Sequence, residues 1–268
     1  KYLFPNGQRQ WTLVDTLYIS PLLFPQHSCH RLTKDDKLLS EQANNPVNDC
    51  EKDLDLLQEE IDKWAGLPQE KRQIYAGLLT RQPEFQGFLD MVNASGRVRN
   101  LPRLIADVYK GLVCSHADMA MMTRRYPREL AYALALTETT DHCSATPGWV
   151  LHQFPAVEHV MALLRETPCR KGCAYCDQKL DIHRNLKKFF GHTEFRAYEG
   201  EPLQEQACQA AIEGKSLLAI FPTGGGKSLT FQLPALIEGQ AAHGLTVVIS
   251  PLLSLMKDQV DKLAEHGI

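Results

Sequence analysis

The sequence predicts an α/β protein, with a parallel sheet and crossover helices at its C-terminal end and mainly helical chain before it. Three observations carry this. From about residue 186 the chain alternates: helix 202–213, strand 216–221, helix 226–238, strand 245–250, helix 252–264. Between the first strand and the helix after it stands Phe221-Pro222-Thr223-Gly224-Gly225-Gly226-Lys227-Ser228, a glycine-rich turn at a strand-to-helix junction. Upstream, between residues 97 and 165, apolar residues recur at helical spacing.

Taken in order, residues 1–95 are rich in Leu, Asp and Gln, and Asp49–Trp64 reads as a helix with Leu54, Leu57 and Ile61 on one face. Residues 97–165 read as helical hairpins. Leu101, Leu104, Ile105, Val108 and Leu112 keep helical spacing, as do Leu130, Ala133 and Leu134, while Tyr126-Pro127 and Thr146-Pro147-Gly148 punctuate them. Strand 245–250, Leu-Thr-Val-Val-Ile-Ser, is apolar and β-branched, as a buried parallel strand is. Pro251 then suits the first turn of a helix, where its missing N–H is no loss. The expected sections are 1–95, a helical connector 96–185 carrying a cysteine cluster, and the nucleotide-binding part 186–268.

The 268 residues allow two or three small domains with their own cores. The chain opens on Lys1 and closes on Ile268 just after a helix-like run, so a piece of a longer protein is expected. No apolar run approaches a membrane span and no signal-peptide pattern opens the chain, so no membrane partner and a cytoplasmic location are expected. The formal net charge of −3 neither demands nor excludes a nucleic-acid partner, since a local groove is enough.

The glycine turn has the chemistry of a phosphate site. Gly224, Gly225 and Gly226 let backbone N–H groups point inward with no side chain in the way, and the following helix adds its positive end. Lys227 would reach the outer phosphates and the Ser228 hydroxyl would ligate Mg²⁺. The strict pattern has glycine at position 221, where Phe221 stands, so the match is to the shorter Pro-Thr-Gly-x-Gly-Lys-Ser form.

Residues 222–236, Pro-Thr-Gly-Gly-Gly-Lys-Ser-Leu-Thr-Phe-Gln-Leu-Pro-Ala-Leu, and 249–261, Ile-Ser-Pro-Leu-Leu-Ser-Leu-Met-Lys-Asp-Gln-Val-Asp, closely resemble RecQ-type ATP-dependent DNA helicases. The resemblance covers about residues 189–268. It implies the first part of a RecA-like P-loop helicase domain, ATP and Mg²⁺ as cofactors, 3′–5′ translocation, and DNA as partner, single-stranded and at duplex junctions. It gives Lys227 and Ser228 catalytic roles, and places Thr223 and Gly224–Gly226 around the phosphates. Gln204 matches the glutamine that reads adenine, and Arg196 the arginine that flanks the base. Between them stands an intervening stretch, Ala197–Leu203, whose Tyr198 is a second candidate for stacking on the base. Ser250, Pro251 and Ser254 match the element that touches the single-strand backbone; small hydroxyls and free helix N–H groups suit phosphate oxygens. The family's acidic motif and second lobe would lie beyond Ile268, so the chain alone is expected to bind nucleotide weakly and hydrolyse it negligibly.

Val14-Asp15-Thr16-Leu17, Leu22-Leu23-Phe24-Pro25, His30-Arg31-Leu32 and Asn44 with Asp49 look like the tail of a DnaQ-type 3′–5′ exonuclease domain, an RNase H-like fold, over about residues 1–62. Such enzymes use four carboxylates on two metals. Asp49 matches the last of these, while Asn44 and Asn45 occupy the positions of the family's general base, and an amide takes no proton from water at neutral pH. Asp15 reads as structural.

Three of the eight cysteines fall between 169 and 176, in the spacing Cys169-x3-Cys173-x2-Cys176. Without a secretion signal this favours a metal site over disulfides. Structural Zn²⁺ on Cys169, Cys173 and Cys176 fits best, with the fourth ligand open among Cys114, Cys143, His142 and His183. A structural iron–sulfur cluster, free thiols, and the iron–sulfur loop of radical SAM enzymes are the other readings. His116, His152 and His159 read as ordinary surface or core histidines. The combined expectation is a RecQ-like helicase fused to an exonuclease-like part through a zinc-bound connector; the alternative is a non-catalytic nucleotide- or DNA-binding docking module.

Overall fold

The computed structural model describes residues 13–27, 30, 46–139, 146–169, 171–222 and 224–268. The chain divides into two compact units, the first formed by Lys1–Val108 with Met119–Val157, the second by Tyr109–Asp118 with Glu158–Ile268. The stretch 96–185 is thus shared between both units. Thr223, Asn44, Asn45, His142 and Cys143 lie outside the described residues.

Unit 1 contributes α1 (Thr16–Leu23), α2 (Pro46–Gly66), α3 (Gln69–Leu79), α4 (Pro83–Met91), α5 (Leu101–Val108), α6 (Met119–Arg125), α7 (Pro127–Leu136) and α8 (Gly148–Gln153). Asp15 caps α1, accepting the Leu17 N–H at 3.0 Å, which is the structural role read for it. Pro83 and Pro127 open α4 and α7, where a ring in place of an N–H costs nothing. Leu130, Ala133 and Leu134 are fully buried, as their spacing predicts. The expected face of α2 is met in part: Leu57 and Ile61 are half-buried beside the buried Glu60 and Trp64, while Leu54 is exposed. The helical spacing through Leu112 also ends early. The chain leaves α5 at Val108 and turns at Gly111, whose φ of 81° favours glycine. Phe85, Tyr18, Tyr132, Trp149 and Phe154 form a chain of edge, tilted and stacked ring contacts through this core.

Unit 2 carries α9 (Ala156–Met161), which starts in unit 1 and runs into a π-helical turn at Ala162–Glu166, then α10 (Ala174–Lys179), α11 (Ile182–Phe190), α12 (Leu203–Ile212), α13 (Leu229–Ala242) and α14 (Leu253–Glu265). Asp181 caps α11 through the Arg184 N–H, and Gly191 closes it with φ 69°. One core joins Tyr175, Cys176 and Leu180 to Leu186 of α11, Cys208 of α12, and Leu233, Ile237 and Ala241 of α13.

The expected strands 216–221 and 245–250 are corrected by the structure. Among the described residues there is no strand, only the bridges Lys110–Val113 and Tyr198–Glu201. A strand exists only through its ladder partner, and here neither segment has one. Leu218, Ile220, Leu245 and Ile249 are consequently at least 80 % exposed. Helix 226–238 is shifted to 229–242 because Gly226, with φ 70°, still belongs to the turn. No described helix is long and apolar enough to cross a membrane.

Candidate functional site: a phosphate loop and a thiol cluster

The glycine turn is held from one side by one short segment. Arg196 Nη1 donates to Gly224 O at 2.9 Å, the Tyr198 hydroxyl donates to Gly225 O, and Gln204 Nε2 donates to Gly226 O at 3.0 Å. Gln204 Oε1 also accepts the Arg196 N–H at 2.9 Å, so this buried amide is engaged at both ends. A trans peptide points its C=O and the next N–H in opposite directions. Fixing the carbonyls of Gly225 and Gly226 therefore turns the N–H groups of Gly226 and Lys227 away from residues 196–204. Among the described residues no backbone carbonyl takes the N–H of Gly226, Lys227 or Ser228. The Gly225 N–H closes the turn on Pro222 O at 3.0 Å.

Glycine is required in this cradle. A Cβ on Gly226 would sit 2.6 Å from Gln204 Nε2, and one on Gly225 2.8 Å from Pro222 O. The exposed Lys227 ammonium bridges Phe221 O at 2.8 Å and Pro222 O at 3.1 Å, across the loop itself. Ser228 starts α13 without using its hydroxyl as a cap. Free N–H groups, an ammonium and a hydroxyl at the start of a fourteen-residue helix are what a phosphate chain with its Mg²⁺ needs. Tyr198 does not stand free as a base-stacking ring; it tilts against Phe221, centroids 5.0 Å apart. Phe221 is buried, which explains a bulky residue where the strict motif has glycine.

Ser250, Pro251 and Ser254 line the entry to α14. Leu252 N–H approaches Ser250 Oγ at 3.4 Å, and Pro251 and Ser254 are exposed.

The second site joins two distant segments. Cys114 N–H donates to Leu164 O at 2.8 Å, tying the 109–118 segment to the π-helical turn. Tyr175 ties α10 to the same turn: its hydroxyl donates to Arg165 O at 2.9 Å and accepts from Arg165 Nε at 3.1 Å. Cys114, His116, Cys169 and Cys173 thereby converge, with their donor atoms all within 4.8 Å of one another. Cys176 is not among these four; its N–H donates to Cys173 Sγ at 3.5 Å. Burial works against ionisation of Cys173, but the hydrogen bonds from Cys176 and Ser115 outweigh it and bring the thiol down to about 6. Burial pushes Cys114 up to about 11 and raises Cys176 further.

His183, one of the open fourth ligands, instead meets Glu205 Oε1 at 3.0 Å. His116 is the residue that sequence reasoning missed; the signal for it was Cys114-x-His116, two donors two residues apart. The cysteine loop leads into α10 and α11, and no barrel of the radical SAM kind is built by the described residues.

The loop has the donors that a phosphate chain needs, and the comparisons with known proteins bear on the region that contains it. Residues 201–268 match the family model described as DEAD/DEAH box helicase. Over this region the relatives are RecQ-family helicases. The chain is 47 % identical over 77 residues to ATP-dependent helicase SGS1 of Saccharomyces cerevisiae, covering 29 % of this chain and 5 % of that protein. It is 51 % identical over 83 residues to ATP-dependent DNA helicase RecQ of Haemophilus influenzae, covering 31 % and 12 %. It is 42 % identical over 86 residues to the probable ATP-dependent DNA helicase RecS of Bacillus subtilis, covering 32 % and 16 %. The chain thus spans a small part of each relative's length. No solved structure matches it.

Proposed function

We propose that unit 2 is the nucleotide-binding part of a RecQ-type, ATP-dependent 3′–5′ DNA helicase. The observation that supports this most is the set of three consecutive glycine carbonyls held by Arg196, Tyr198 and Gln204, which leaves the loop N–H groups and Lys227 for a triphosphate. Lys227 leaves Phe221 O and Pro222 O to meet the outer phosphates, Thr223 stands with the glycines around the phosphates, and Ser228 serves the magnesium side. Bound Mg²⁺ would neutralise charge across those phosphates. For Gln204 and Arg196, the adenine role requires trading loop partners for the base. Ser250, Pro251 and Ser254 contact single-stranded DNA, at junctions with duplex. The thiol cluster holds a structural Zn²⁺, and the N-terminal part descends from an exonuclease-like domain in which Asp49 is the remaining candidate carboxylate.

Fluorescent-nucleotide titration of this chain, and DNA-stimulated ATP hydrolysis by the complete enzyme, test this. Lys227→Ala is expected to cost about a hundredfold or more in turnover while leaving the melting temperature unchanged, because the lysine touches loop carbonyls and solvent rather than core. Equal turnover in the variant would refute the assignment. Nucleotide binding without any DNA-stimulated hydrolysis would favour a docking module.

A further inference from the structure

We propose that the zinc ligands are Cys114, His116, Cys169 and Cys173, with Cys176 outside the coordination sphere. This rests on the zinc reading above and replaces its incomplete ligand set with a closed one. Tetrahedral zinc with Zn–S bonds of about 2.3 Å sets its sulfurs roughly 3.8 Å apart, and a nitrogen and a sulfur somewhat closer. Cys114 Sγ and Cys173 Sγ are 3.9 Å apart, and His116 Nδ1 and Cys169 Sγ are 3.3 Å apart. These two edges share no atom, and all four donors fall within 4.8 Å of one another. That is a mononuclear site in size; a four-iron cluster would spread its thiolates much wider.

The surrounding backbone supports the same set. The His116 N–H points at Cys114 Sγ, 3.4 Å away, and the Cys176 N–H at Cys173 Sγ, 3.5 Å away. Amide donors aimed at sulfur stabilise thiolate ligands and fix their orientation. Cys176 is the competing thiol: it meets the Cys114 and Cys173 side chains and, like Cys114, is buried in the apolar core. It lies outside the set of four donor atoms within 4.8 Å of one another, and that distance is what separates it from the ligands. The two ligand pairs lie 53 or more residues apart in sequence, so the metal would fasten the 109–118 segment onto the loop before α10.

Zinc K-edge X-ray absorption on the purified chain, with elemental analysis of the variants, is the test. The expected result is about one zinc per chain bound by three sulfurs and one nitrogen. His116→Ala should lose about tenfold or more of its zinc to a competing chelator, while Cys176→Ser keeps it. His116→Cys should regain binding with four sulfurs, which separates lost coordination from misfolding. Four sulfurs in the wild type, with zinc lost in Cys176→Ser, would overturn this ligand set and leave the zinc reading standing. Iron in the purified protein, or no uptake of Zn²⁺ or Co²⁺ by the metal-free chain, would overturn both.

Discussion

The phosphate loop and the thiol cluster belong to one unit and one core, yet they are built in opposite ways. The loop is eight contiguous residues whose shape is set by local conformation and by three side chains from 196–204. The cluster has no local shape of its own. Cys114 and His116 reach Cys169 and Cys173 only because the π-helical turn, Tyr175 and the core under α10 hold them there. A site of the first kind fails when its brace is cut. A site of the second kind fails when its scaffold loosens.

Four changes test that contrast, in descending order of effect. Leu186→Ala empties a fully buried position in the shared core and should cost about 2–5 kcal/mol of stability. Metal retention should fall with it, while nucleotide affinity measured well below the melting temperature stays within about twofold. Equal damage to both sites would erase the distinction. Gln204→Ala strands the Arg196 N–H and the Gly226 carbonyl, a penalty of about 1–3 kcal/mol. Nucleotide binding and the preference for ATP over GTP should both drop, with metal content unchanged. Tyr198→Phe keeps the ring against Phe221 and removes only the bond to Gly225 O. About 1 kcal/mol is expected, read as roughly fivefold weaker binding in the same titration. Unaltered affinity would show that Arg196 and Gln204 suffice.

The smallest effect concerns unit 1, which serves as a control because it contains neither site. Glu60 is fully buried on α2, neither oxygen has a hydrogen-bond partner among the described residues, and burial with the nearby Asp15 charge pushes its carboxyl up to about 8. The folded state then binds a proton that the unfolded chain releases near pH 4.5. Stability from this group is complete below that value and is lost as pH rises towards 8. Glu60→Gln should therefore change the melting temperature little at pH 5 and raise it by about 2–5 °C at pH 8. A difference independent of pH would assign the effect to packing.

What the sequence showed follows the same division. The glycine turn was legible as a turn because its residues are contiguous, and each glycine has a local reason: positive φ at Gly224 and Gly226, close approach at Gly225 and Gly226. The break at Tyr126-Pro127 was legible for the same local cause, and Pro127 opens α7 there. The thiol cluster was half legible: the spacing of Cys169, Cys173 and Cys176 pointed to clustered thiols, and Cys114 was among the candidate partners, but His116, fifty-three residues from Cys169, lay in a stretch with no motif. The burial face of α2 was legible through Leu57 and Ile61, but not at Glu60, an acid in a core position that an apolar pattern does not mark. Segments 216–221 and 245–250 have strand composition, yet composition specifies a preference and not a partner. The helicase resemblance matches the DEAD/DEAH region, while the described part of unit 1 shows helices alone and leaves the exonuclease likeness resting on residues.

Those unpaired segments govern how the chain behaves in a test tube. Leu218, Ile220, Leu245, Val247 and Ile249 lie bare, and α14 buries none of its residues. Solvent-facing β-branched chain with open amides is adhesive. The sites should therefore be studied at low protein concentration, and salting-out should precipitate this chain earlier than its near-neutral charge alone would.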